Sequence, residues 1–172
     1  MILADLLRTG SRGLAAFAFI LTPVVALSSQ QATISMAMPR VVLEDQFGRS
    51  HELGVSPHAI VVLVADRGGA DGIARWLPAL VAAAGNRLPV VAVANLKGAP
   101  RLLHGLIRGK MPRDTTLRIL LDWNGDVGAR LQSLGDHLTL ARFGDDGIAR
   151  ESLAVPIDHI DSTLIARVTT TP

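Results

Sequence analysis

The chain has 172 residues, 17 Lys and Arg against 15 Asp and Glu, and no cysteine. That length suits one domain with a real hydrophobic core, and aliphatic residues and alanine must build it, because aromatics are only 3% and tyrosine is absent. The lack of sulfhydryls excludes disulfides, thiolate catalysis, Cys-ligated zinc and iron–sulfur clusters, and a net charge of +2 with no run of like charge argues against nucleic acid as a partner.

In chain order, Arg8 and Arg12 precede an apolar run from Leu14 to Leu27, interrupted by Thr22 and Pro23, with small residues Ala26 and Ser28 at the −3 and −1 positions of a cut before Ser29. A positive start, a short apolar core and a small-residue exit predict a signal peptide over residues 1–28, cleaved before Ser29. The run is short for a membrane span, although an uncleaved form would anchor the protein in the membrane by residues 14–27. The mature protein is therefore expected in the periplasm or outside the cell. Without residues 1–28, which carry two basic residues and one acidic, it is nearly neutral.

A polar spacer over 29–38 leads into a domain expected to span 39–168, with a frayed tail over 169–172. "VVLEDQFGRSHEL" (Val41 to Leu53) predicts a β-hairpin turning at Gln46 to Arg49. "AIVVLVA" (Ala59 to Ala65) and "LPVVAVAN" (Leu88 to Asn95) predict strands buried on both faces. Between them, Asp71 is the expected N-cap of a helix whose apolar positions are Ile73, Trp76, Leu77, Leu80, Val81 and Ala84, and Gly85 closes it. A second helix over Ala99 to Arg108 presents Leu102, Leu103, Leu106 and Ile107. "TLRILLD" (Thr116 to Asp122) predicts a third core strand, followed by a short helix over Val127 to Leu134. "LTLARFG" and "IARESLAV" flank the turn Asp145-Asp146-Gly147, a strong hairpin signal. A helix from Ile157 to Val168 closes the domain. Parallel crossovers first and an antiparallel hairpin last make an α/β fold, a mixed β-sheet with helices on both faces and a β-hairpin at its N-terminus.

This order, with the hairpin "VVLEDQFGRSHEL", Pro78 inside "WLPAL" and the late hairpin "LTLARFGDDGIAR", resembles the thioredoxin-like superfamily, in its redoxin branch of TlpA-type proteins and peroxiredoxins. The resemblance implies a reactive cysteine or CxxC pair at the start of the first helix. Counted from the strand end, that motif falls at Gly68 to Asp71; counted back from Pro78, at Ala70 to Ile73. Neither register contains a thiol. The facing cis-proline of the family would fall near Leu138, where an ordinary trans peptide is expected.

The chain is accordingly read as an exported binding or accessory protein of the cell envelope with no thiol chemistry and no cofactor. Its candidate groove comprises Asp66, Arg67 and Asp71 with the loop Gly135 to Leu138, including His137 and Leu138, and its partner would be an envelope protein. The alternatives are an enzyme using Asp66, Arg67 and Asp71 as acid, base and anion-holding groups, and a membrane-anchored assembly factor. "ILLDWNGDV" resembles the nucleophile motif of haloacid-dehalogenase phosphatases at Asp122, but too few residues follow for the remaining motifs, and a strand with an Asn-Gly turn is the simpler reading. The five histidines, His51, His58, His104, His137 and His159, are scattered, and no metal site is expected. "RLLHGLIRGK" (Arg101 to Lys110) is read as a solvated basic helix face in preference to a membrane or acidic-partner site.

Overall fold

In a computed structural model of the chain, the structure describes residues 36–54, 58–131 and 137–170. The apolar segment 14–27, the cleavage before Ser29 and the loop residues Gly135 and Asp136 lie outside the described residues. Among the described residues no helix is long and apolar enough to cross a membrane.

A seven-stranded sheet carries the fold. Its strands are β1 (Val41–Asp45), β2 (Ser50–Leu53), β3 (Ile60–Ala65), β4 (Val90–Asn95), β5 (Ile119–Asp122), β6 (His137–Phe143) and β7 (Ala149–Pro156), in the spatial order β2-β1-β5-β4-β3-β6-β7. The central β5, β4 and β3 are parallel, and the hairpins β1–β2 and β6–β7 add antiparallel strands at the two sides. The helices are α1 (Ala70–Ala84), α2 (His104–Lys110), α3 (Asp126–Arg130) and α4 (Ser162–Thr169). The expected α/β architecture is thus the observed one.

Alternation along the central strands explains the two-faced core. In β3, Val61, Leu63 and Ala65 point to the layer holding α1 and α4, while Ile60, Val62 and Val64 point to the layer holding α3. Each of these residues is buried, and each buried Val or Leu is worth roughly 1.5–3 kcal/mol of transfer free energy. Within α1, Ile73, Trp76, Leu77, Leu80 and Ala84 are buried as the helical period requires. Val81 is only partly buried. The Trp76 indole N–H donates to the Pro156 carbonyl at 3.0 Å, which lets a buried indole keep its hydrogen bond. Pro78 lies on the exposed side, so the Ala74 carbonyl that it leaves without an N–H partner is next to water.

The third core strand begins at Ile119 rather than Thr116, and the three helices after α1 also shift their bounds. The second helix begins as a 3₁₀ turn at Arg101–Leu103 rather than at Ala99, because Pro100 at its N-cap is extended. The third ends at Arg130. The last begins at Ser162 rather than Ile157, because the Asp161 carboxylate accepts from the Thr163 and Leu164 N–H groups and starts the helix there.

Two buried polar side chains fasten the N-terminal hairpin. Asp45, 1% exposed, accepts from the Phe47 and Arg49 N–H groups at 2.9 Å each, from Arg49 Nε at 3.0 Å, and lies 2.8 Å from His51 Nε2. Burial opposes ionisation of this carboxyl. The Arg49 N–H, the His51 ring, the Phe47 N–H and the Arg49 guanidinium outweigh that penalty and hold it far below the usual carboxylate range. Gln46 extends the strand pairing with its side chain, its amide donating to the Leu117 carbonyl at 2.6 Å and accepting from the Ile119 N–H at 3.0 Å. Met36 to Met38 also join the fold, through an Ala37–Ile148 bridge and a Met38 N–H bond to Gly147 at 2.8 Å.

Candidate functional site at the junction of β3 and α1

Strand β3 ends at Ala65, and Asp66 makes the turn that follows. The Asp66 carboxylate accepts from the Gly68 N–H at 3.1 Å and its carbonyl from the Gly69 N–H at 3.0 Å. A 3₁₀ turn over Arg67–Gly69 runs directly into α1. This turn extends the helix backwards, so the N-cap is Gly69 and not Asp71 as expected. Asp71 is exposed in the first turn, where its charge faces the positive end of the helix dipole. Arg67 is exposed and donates to the Lys97 carbonyl at 3.0 Å, tying the junction to the loop after β4. Gly68 and Asp71 are therefore surface positions, whereas Ile73 is buried and Ala70 opens the helix.

Beneath the junction sits Leu138, from β6, with no solvent exposure. A Cβ on Gly69 would lie 3.0 Å from a Leu138 methyl and 2.8 Å from Ala65 Cβ; one on Gly72 would lie 2.9 Å from Leu138 and 3.2 Å from Ile157 Cγ2. The two glycines form a seat one helical turn long, and the leucine fills it. Leu138, one of the residues expected in the candidate groove, is thus fully enclosed beneath Gly69 and Gly72. His137, half-buried, starts β6 beside it. The peptide bond before Leu138 is trans. The seat escaped sequence reading, although small residues at positions 69 and 72 lie on one helix face and were a usable signal.

The apparent phosphatase motif has a structural role. Asp122 is wholly buried, and its two oxygens accept from the N–H groups of Gly125 (2.8 Å), Asp126 (3.0 Å), Val127 (2.8 Å) and Gly128 (3.2 Å). Those are the unpaired donors at the start of α3, so the carboxylate caps that helix with all four bonds. Gly125 has φ of 78°, and the turn before α3 needs it.

The histidines stay apart. His51 pairs with Asp45, and the His104 ring stacks on Trp123 at a centroid distance of 3.6 Å, with Nε2 3.2 Å from the Ala99 carbonyl. Among the described residues no group of three or more His, Asp or Glu is placed to hold a metal ion.

No family model and no curated protein matches the chain. Solved structures do. A secreted Mycobacterium tuberculosis disulfide oxidoreductase superposes with a TM-score of 0.54 at 14% identity, over 76% of this chain and 94% of that one. The exposed lipoprotein thioredoxin of Streptococcus pneumoniae gives 0.54 at 14% identity, over 76% and 98%. Xanthomonas campestris peroxiredoxin Q gives 0.52 at 11% identity, over 75% and 90%. The fold is thioredoxin-like. In this thioredoxin-like chain the segment that resembles the family's reactive turn holds Gly68, Ala70, Asp71 and Ile73, and the facing strand supplies leucine.

Proposed function

We propose that this is an exported thioredoxin-like domain that acts by binding an envelope protein rather than by thiol chemistry. One observation carries the reading: the junction has no sulfur, and the space between α1 and β6 is filled by Leu138 against Gly69 and Gly72. A chain without cysteine has no thiolate to attack a disulfide or a peroxide. The hydrophobic pattern of the fold is nevertheless intact, leaving Arg67 and Asp71 on an ordered surface. The net-positive start, apolar run and small-residue exit of residues 1–28 support export, as does the secreted or lipoprotein character of two structural neighbours. Within this reading Asp66 shapes the turn, while Arg67 and Asp71 offer charge of both signs to a partner.

The experiment has two arms. Insulin and peroxide reduction by the purified protein should stay at the buffer rate, and turnover above it would overturn the reading. A photo-crosslinking residue at Asp71, tested in cells, should give a discrete adduct that is absent when the same residue replaces Arg87 beyond the far end of α1. Equal labelling from both positions would remove the junction as the binding surface.

A further inference from the structure

Helix α2 and the 3₁₀ turn before it bury none of their residues. Among the described residues, five large apolar side chains are exposed, and three of them sit here: Leu102 (96%), Leu106 (58%) and Leu103 (44%). Scattered exposed leucines need no explanation, but three within five residues form a patch. Leu102 and Leu106 are one helical turn apart, with Lys110 one turn further, so leucine, leucine and lysine form one outward stripe. Ile107 and Met111 on the inner side pack against the core.

Within the segment itself the charge has a single sign; the acidic groups beside it are Glu44, paired with Arg108, and Asp114, which follows Arg113 and accepts from Thr116. From Leu96 to Arg113 the chain has Lys97, Arg101, Arg108, Lys110 and Arg113 and no acidic residue. Arg108 is committed to Glu44, while Lys97, Arg101, Lys110 and Arg113 are exposed, and exposed Arg67 binds the Lys97 carbonyl beside them. Leucines protruding between long cationic side chains on a short convex helix match the boundary between lipid headgroups and acyl chains. Protein interfaces instead favour aromatic anchors and arginine and are depleted in lysine, whereas this segment has no Phe, Tyr or Trp and exposes Lys97 and Lys110 among its cations. We propose that the segment Lys97–Arg113 is a docking face for an anionic lipid bilayer, adjoining the β3–α1 junction at Arg67. The leucines enter the interface and the cations neutralise headgroup charge, so the domain lies with α2 against the membrane.

Trp123, stacked on His104 of α2, provides a built-in reporter. The full-length protein would be titrated with vesicles of phosphatidylcholine alone or mixed with phosphatidylglycerol, following tryptophan emission and co-sedimentation. The expected result is binding that needs the anionic lipid and weakens as salt is added, with a blue shift of emission. L102S/L106S and R101E/K110E should each weaken it on the order of tenfold or more. The same titration on protein lacking residues 1–28 reads binding through the segment 14–27 separately, and far-UV circular dichroism establishes that each protein is folded. Vesicle binding that is equal for wild type and both variants, or equal on neutral and anionic lipid, would overturn the proposal. Binding to soluble polyglutamate with none to vesicles would also overturn it, in favour of an acidic protein partner.

Discussion

Replacing Asp122 by alanine would strand the N–H groups of Gly125, Asp126, Val127 and Gly128 in a buried site. Each unsatisfied donor carries a desolvation penalty, and the carboxylate bonds are stronger than neutral ones, so a loss of about 3 kcal/mol or more is expected for D122A. Urea unfolding would show it as a lower midpoint at unchanged slope; a loss below about 1 kcal/mol would contradict the capping role. Leu138 and Gly72 make a second test at this scale. Alanine in place of a helical glycine ordinarily gains about 1 kcal/mol, but here the added methyl meets Leu138, which is fully enclosed and has no room to yield. G72A should therefore destabilise the native protein by about 1–2 kcal/mol and become neutral or stabilising in an L138A background. Additive effects in that double-mutant cycle would show that the seat is not tight.

Hairpins and caps behave as elements. The β1–β2 turn is organised by one carboxylate, Asp45, whose folded value lies below its ordinary 3.8. A depressed carboxyl contributes stability in full above the unfolded value, and the contribution is lost as pH falls below about 4 towards the folded value. Wild-type stability should therefore drop steeply in that acid window. D45N should be less stable at neutral pH by about 1–3 kcal/mol and flatter in acid. Urea midpoints across pH would check this, and parallel acid profiles for the two proteins would count against it. The hairpin itself was plain in the sequence, since Gly48 sits between two alternating runs, and so was the late hairpin at Asp146-Gly147. Helix starts were less legible. Asp71 looked like a cap because nothing in the sequence announces a 3₁₀ turn over Arg67–Gly69, whereas the apolar stripe through Ile157 and Ile160 masked the true cap at Asp161.

For the whole molecule, the N-terminal hairpin pairs with the parallel core at two positions among the described residues, Glu44 with Leu121 and Asp45 with Leu120, reinforced by the Gln46 N–H on the Ile119 carbonyl, the buried Gln46 side-chain amide and the packing of Leu43 and Leu53. Q46A should release β1–β2 as a local unit before the rest unfolds. Native-state hydrogen exchange would then show lost protection in β1 and β2 with β3 and β4 unchanged, whereas uniform loss would mean that the sheet opens as one. The order of elements was readable because continuous β-branched runs can only be interior strands. The floor of the candidate site was only half legible: Gly69 and Gly72 mark a close approach on one helix face, but their partner Leu138 lies about half the domain away in sequence and no local pattern names it. The exposure of the leucines on α2 was only partly legible, for a related reason. Periodicity marks an apolar face but does not say whether the fold leaves a neighbour to cover it, and cations spaced two to seven residues apart do not register as a run.

The filled seat under the junction also governs timing. With methyl groups occupying the space between helix and strand, an arriving ligand meets a finished surface, and neither its arrival nor its departure waits for a side chain to swing aside. Complexes made there would form without a gating delay and would have brief residence times unless they also gripped residues well outside the junction.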